Sequence, residues 1–282
     1  MLGRLGRDAG SLLGVEITAN AIKMLQVRRH RGRCQVTGWA CQALAAPGGG
    51  AQLAQALVQA HRRCATAQRK VALALPASQV ICKLCQLPQG THVQDIETHL
   101  LGQADQLFPF PIDDLALDFQ VVGASRCDPG LVDVLVAGCR QSQLEPLEAL
   151  FGEAGLELVA MEVDSFALRR ALLAEDAAGW ALVQLEADKL VLHLWAQSLM
   201  PTRQQLPLGA ASCWVDELAR LLGAACGQLQ GVVLAGDGAD TAGAQRLTQR
   251  LGIACRLAVL PAALGAAPGM ALAYGLAMGG LR

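Results

Sequence analysis

The chain has 282 residues, 53% of them hydrophobic and only 17% charged, with a mean hydropathy of +0.35. That excludes a disordered tail, and the length excludes a peptide hormone or a disulfide-stapled mini-scaffold. Net charge is −1, from 23 basic and 24 acidic side chains, which removes the broad cationic face of a nucleic-acid binder but not a local basic patch. With aromatics at 4%, the core must be built from Leu, Val, Ala and Ile.

Met1 to Gly10 carries Arg4, Arg7 and Asp8 and no apolar run before a cleavage site, so it does not read as a secretory signal. Val15 and Ile17, then Ile22, Met24 and Leu25, alternate as two strands across a turn at Ala19-Asn20. Four arginines and His30 fill Arg28 to Arg33, followed by a strand near Cys34 to Ala40; this predicts a hairpin with a basic tip. The tip reads as a solvated turn, with lipid headgroup contact as the alternative. Gln52 to Arg63 has helical spacing, Val71–Leu75 and Val80–Leu87 are extended, and Val93 to Leu107 predicts one amphipathic helix ended by Pro109 and Pro111. Strands follow at Leu117–Val122 and Val132–Cys139, then a helix Leu144–Ala154, a strand Leu156–Val163 and a helix Phe166–Leu173.

The second half restarts with a hairpin, Trp180–Leu185 and Lys189–Trp195. A helix Ala211–Leu222, a strand Gly231–Ala235, a glycine turn, a helix Gly243–Leu251 and a strand Ala254–Leu257 complete the pattern. The uncharged run Leu257–Leu281 is long enough for a membrane span, but Pro261, Pro268 and its glycines predict a buried loop and a short helix about Met270–Met278.

Ten cysteines are scattered through apolar surroundings. The one CxxC, Cys82 and Cys85, lies on a strand, where residues three apart face opposite ways and cannot share a metal. No metal site is expected, and reduced thiols point to the cytoplasm. His61, His92, His99 and His193 stand apart from any nucleophile or carboxylate in the sequence, and read as surface or core histidines. No phosphate-binding lysine loop, serine elbow or His-Glu-x-x-His motif is present, so no catalytic residue is expected.

The two hairpins match each other: Val15-Glu-Ile-Thr-Ala-Asn20 against Val183-Gln-Leu-Glu-Ala-Asp188, each followed by an apolar strand. Together with the turn Gly236-Asp-Gly238 they resemble the duplicated lobes that actin-like folds place around a nucleotide. With Leu13 to Ile17 and Lys23, Ala104 to Pro111, Val132 to Arg140, Glu162 to Leu168 and Leu234 to Ala239, the chain resembles the PilM family of actin-like type IV pilus assembly proteins, related in fold to FtsA. The resemblance runs from about Leu12 to Leu281. It implies an α/β, actin-like (ribonuclease H-like) fold of duplicated lobes with a small inserted α/β subdomain. Residues 1–70 would begin the first lobe, 71–159 form the insertion, 160–178 return to the first lobe, and 179–282 make an abbreviated second lobe.

By the same resemblance the nucleotide residues, if a site is retained, are Gly14, Glu16, Thr18, Lys23, Gln184, Glu186, Gly236 and Gly238. Several depart from the family's pattern. Glu16 replaces an aspartate, Thr18 a glycine and Ala19 a serine; a Cβ at 18 obstructs close phosphate approach, and Ala19 offers no hydroxyl. Gln184 cannot hold Mg²⁺ as a carboxylate would, Glu186 brings negative charge near the phosphates, and Asp237 replaces a glycine. The expected cofactor is none, or weakly held ATP with Mg²⁺.

What the resemblance implies is a cytoplasmic scaffold peripheral to the inner membrane, associated with it only through partners. It would bind the N-terminal tail of a PilN-like membrane protein in a groove between the first lobe and the insertion, where Phe108 and Phe110 are candidates to line it. Self-association is left open. The alternative is an active actin-like ATPase, or a kinase using Asp164 or Glu162 as base. Nucleic acid is not an expected partner, since the Arg28–Arg33 tip has no aromatic platform.

Overall fold

In the computed structural model, residues 11–44, 49–125, 128–173, 179–195, 200–209, 213–223, 229–265 and 268–281 are described. The segment Met1–Gly10 and the residues Cys127, Cys226, Ala211 and Ser212 lie outside them. The chain opens with an antiparallel meander, β1 (Leu13–Ile17), β2 (Ala21–His30) and β3 (Arg33–Ala43). Helix α1 (Gly50–Cys64) then crosses over to β4 (Lys70–Leu75), which pairs parallel with β1. β8 (Glu157–Val163) adds parallel to β4, giving the sheet order β3-β2-β1-β4-β8.

The second half repeats this. β9 (Trp180–Leu185), β10 (Lys189–Leu194) and β11 (Thr202–Pro207) form a meander, and β12 (Gly231–Ala235) pairs parallel with both β9 and β13 (Ala254–Leu257). The order β11-β10-β9-β12-β13 is the same topology in the same chain sense, so the duplication read from the two hairpins extends to whole sheets. β11 was not expected from the sequence. It is an edge strand of mostly polar residues, Thr-Arg-Gln-Gln-Leu-Pro, and so lacks the apolar alternation that marks a half-buried strand.

Between β4 and β8 lies a three-stranded antiparallel sheet, β5 (Ile81–Pro88), β7 (Leu131–Arg140) and β6 (Leu115–Ala124), with β7 central. Its outer face carries α2 (Val93–Gly102) and α3 (Ala104–Leu107) around Ile96, Leu100, Val134 and Val136. The single helix expected over Val93–Leu107 is broken at Gln103, whose φ of −110° and ψ of 9° leave the helical region. The expected insertion, 71–159, gives its outer strands β4 and β8 to the first lobe's sheet, and its own sheet runs only from Ile81 to Arg140.

The layers follow from the strands' residues. β4 is apolar on both faces, as a central parallel strand must be. Val71, Leu73 and Leu75 pack with α1 and with α4 (Gln141–Glu153), while Ala72 and Ala74 turn the other way. On that other side lie α5 (Asp164–Leu172) and α8 (Ala271–Gly279), and beyond them Leu182, Val233 and Ala235 of the second sheet. The far face of the second sheet is covered by α6 (Trp214–Gly223) and α7 (Thr241–Leu251). Small residues let α8 approach closely. A Cβ on Gly14 of β1 would stand 1.9 Å from the Ala273 carbonyl oxygen, and one on Gly275 would stand 2.0 Å from that of Ala167.

The uncharged Leu257–Leu281 run is β13's end, a loop with short 3₁₀ turns, and the nine-residue α8, close to the helix expected there. Among the described residues no helix is long and apolar enough to cross a membrane.

Candidate functional site

Three turns converge where the lobes face each other. The first joins β1 to β2. Here the Thr18 hydroxyl accepts from the backbone N–H groups of Ala21 (3.0 Å) and Asn20 (3.3 Å) and donates to the Ala21 carbonyl (3.0 Å). Thr18 is thereby committed to closing its own hairpin. The second joins β9 to β10, where Glu186 N–H donates to the Lys189 carbonyl (2.9 Å) and the two side chains pair at 3.1 Å. Glu186 thus has its own cation on the same hairpin.

The third is the glycine turn after β12. Gly236 has φ of +96°, and a Cβ there would stand 2.1 Å from the Leu185 carbonyl oxygen. That same carbonyl accepts from Gly238 N–H at 3.1 Å, which locks the turn onto the end of β9. Only glycine combines the positive φ with this approach.

A buried polar cluster spans the lobes between these turns. Lys23 of β2 is enclosed, and its Nζ lies 2.8 Å from Asp237 Oδ2 in the glycine turn and 3.7 Å from Glu16 Oε2 on β1. Gln184 of β9 donates from Nε2 to Glu16 Oε1 at 3.1 Å. Within this cluster Lys23–Asp237 and Glu16–Gln184 cross from the first lobe to the second. A third segment permits them: a side chain at Gly269 would place its Cβ 1.8 Å from Asp237 Oδ1 and 3.3 Å from Lys23 Nζ.

Electrostatics in the cluster are opposed. Burial pushes the Glu16 carboxyl up to about 7, against the attraction of Lys23, and the Glu186 and Asp237 carboxylates add to the rise. Burial works against the Lys23 ammonium as well, but Glu16 and Asp237 outweigh it and hold its pKa above the ordinary lysine value. Glu16 Oε2 has no hydrogen-bond partner beyond the distant ammonium. A lysine flanked by two carboxylates, with a third at Glu186, presents little positive potential to an incoming phosphate.

Of the residues singled out in the sequence, Glu16, Lys23 and Gln184 meet directly, and Gly236 and Gly238 hold Asp237 against them. Gly14 does not line the cleft; it is the point where β1 touches α8. Phe108 is enclosed in the small sheet's own core, its ring 2.4 Å from where a Cβ on Gly138 would stand, so it is not available to an open groove. Phe110 is half-buried beneath the Arg140 guanidinium, 4.9 Å from the ring centre. Cys82 and Cys85 pack into different cores on opposite faces of β5, and burial raises both thiols, Cys82 to about 11. Among the described residues no group of His, Cys, Asp and Glu could hold a metal ion.

One constellation was not found from the sequence. His193 of β10, fully buried, lies with Nδ1 2.9 Å from the Ser165 hydroxyl, which donates to Asp164 Oδ1 at 3.1 Å. Asp164 Oδ1 also accepts from Ala77 N–H (3.2 Å) at the start of the inserted segment. Burial holds the His193 imidazole down at about 4, so it is neutral near pH 7. With the hydroxyl donated to Asp164, Nδ1–H donates to serine, the reverse of what a general base for serine requires. The chain is a structural link between α5 and the second sheet. No sequence signal marks it, because the partners meet only through the fold.

Two five-stranded sheets of identical order, each led by a hairpin whose turn faces the other across a cleft, define an actin-like ATPase fold with a small antiparallel subdomain. The chain belongs to the type IV pilus assembly protein PilM family, whose model matches residues 14–192. It is similar in fold to a chain of a solved PilM–PilN type IV pilus biogenesis complex, with a TM-score of 0.73 at 23% identity, over 97% of this chain and 99% of that one. It also resembles the ethanolamine utilization protein EutJ from Carboxydothermus hydrogenoformans, with a TM-score of 0.55 at 12% identity, over 95% of this chain and 89% of that one.

Proposed function

We propose that this protein is a scaffold of a type IV pilus, or related, assembly machine. It works on the cytoplasmic side of the inner membrane and binds the N-terminal tail of a PilN-like inner-membrane protein. Its interlobe cleft is a degenerate nucleotide site, held together by its own side chains. Family membership and the fold likeness to a chain of a PilM–PilN complex support the partner. The observation that carries the degenerate site is the buried Glu16–Lys23–Asp237 cluster. The cation that would meet a phosphate is already neutralised there. Asp237 already occupies the ammonium that a triphosphate would need, and the acidic side chains of Glu16 and Glu186 stand close by. These residues do not fit ATP with Mg²⁺.

The division into a first lobe, an inserted subdomain and a second lobe fits this role. A peptide lying between the first lobe and the insertion needs backbone pairing or apolar pockets, not catalytic groups. Phe110, beside Arg140, remains the candidate for that groove.

A second reading, an ATP-binding actin-like protein, is favoured by the retained Lys23 and by the intact Gly236 and Gly238 turn. Calorimetric titration separates the two. The scaffold reading expects no saturable heat with Mg-ATP and binding of the cognate PilN-like tail peptide at about micromolar affinity. Saturable Mg-ATP binding abolished by Lys23→Ala would establish the second reading. No binding of any cytoplasmic tail of the cognate pilus membrane proteins would remove the first.

A further inference from the structure

The basic hairpin tip is unused by the cleft and by the groove. β2 and β3 run as a two-stranded ribbon past Val27 and Val36 to Cys34, opposite Arg29, the last of its residues packed with the cluster around α8, and Arg28, Arg29, His30, Arg31, Gly32 and Arg33 are all exposed. Among the described residues, none of the four arginines enters an ion pair. The turn itself places Arg31 at φ +49° and Gly32 at φ +77°, both left-handed. Asn, Asp or Gly relieve the first of these positions, yet it holds a fourth arginine.

We propose that this tip is a docking finger for an anionic lipid surface. The register puts Arg28, His30 and Arg33 on one face of the ribbon, Arg29 on the other, and Arg31 at the apex. Charges spread around a finger do not converge on a single small anion; they suit a continuous layer of phosphate headgroups that surrounds the tip as it enters. A flat acidic protein face would meet one side of the ribbon only. Nucleic acid lacks support because the tip carries no Phe, Tyr or Trp on which a base could stack.

Distance makes the contact workable. Two residues past Arg29, which pairs opposite Cys34, extend the ribbon by roughly 7 Å at about 3.3 Å per residue. The screening length at physiological salt is about 8 Å. The rest of the chain carries an excess of acidic groups, and the finger holds that body about one screening length from the surface. The finger therefore also sets orientation, presenting the β2–β3 end of the first lobe to the membrane.

The test is co-sedimentation of the whole chain with vesicles of phosphatidylcholine alone and of equal phosphatidylcholine and phosphatidylglycerol. Pelleting is expected with the anionic vesicles only, and to fall steeply with added salt. Each arginine near the surface contributes about a fivefold gain in partition, so Arg28→Gln, Arg29→Gln, Arg31→Gln and Arg33→Gln together lower it on the order of several hundredfold. Arg62→Gln with Arg63→Gln, exposed at the end of α1, leaves it unchanged. A thermal melt checks that the fourfold variant folds, and the salt titration needs no variant. Equal pelleting with neutral vesicles, or an undiminished fourfold variant, would overturn the proposal. So would displacement by inorganic phosphate at matched concentration, or tighter retention on duplex DNA or polyglutamate.

Discussion

Glu16→Gln should change how stability responds to pH. The Glu16 carboxyl titrates near 4.5 in an unfolded chain and at about 7 in the fold, so between those values the folded state holds the extra proton. Stability therefore falls as pH rises through that window. The shift, at about 1.4 kcal/mol per unit, amounts to about 3 kcal/mol when Glu16 is fully ionised. The side chain is only 5% exposed, so solvent screening takes little from this figure. Glutamine keeps the acceptor for Gln184 but places an amide beside the Lys23 ammonium, so the net gain at neutral pH is smaller, about 1–2 kcal/mol. Urea melts of both proteins across the window from pH 4.5 to about 7 measure the difference. His193, held at about 4, acts oppositely below pH 6.5, with stability lost as pH falls, but this term is common to both proteins and cancels. The unfolding free energy of the variant minus that of the parent should rise by about 2–3 kcal/mol from pH 4.5 to about 7, changing sign within the window. A constant gap would mean that burial does not shift Glu16, and the account of the cluster would fail.

Lys23→Ala takes away the cation that offsets the burial of Glu16 and should lower stability by about 3 kcal/mol, whereas Asp237→Ala should cost under about 1 kcal/mol, since Asp237 is 61% exposed and already well solvated. Equal losses in chemical denaturation would refute that asymmetry. Gly14→Ala pushes a methyl group into the Ala273 carbonyl and should destabilise by about 2 kcal/mol or more, read as a lower melting temperature; an unchanged melt would show that α8 can move away. Phe108→Ala empties the small sheet's core and should cost about 3–5 kcal/mol, with Phe110→Ala well below that. If Phe108→Ala left stability intact but weakened tail-peptide binding, the groove assignment would return to Phe108.

The strands of both hairpins were legible because Val15, Ile17, Ile22 and Met24, and their counterparts in β9 and β10, alternate or run apolar between clear turns. Gln184 could be placed by matching one half of the chain to the other, and Lys23 by the resemblance to the PilM family. The use made of Asp237 could not. Its sequence signal is only a missing glycine, and its partner Lys23 lies in the other lobe, so the ion pair exists only once the sheets face each other. β11 escaped because an edge strand has no obligation to alternate. Phe108 looked like a groove residue beside Pro109, and its burial depends on Gly138 on a strand that no local pattern connects to it.

Helix α8 lies against β1 and α5 of the first lobe, although it follows every strand of both sheets in the chain. On the ribosome the first lobe is thus made with one wall missing, its Ala72, Ala74 and Gly14 face open until the second lobe has been synthesised. The two halves cannot mature one after the other as independent units. Duplication supplied two similar sheets, but the last helix makes them a single cooperative folding event.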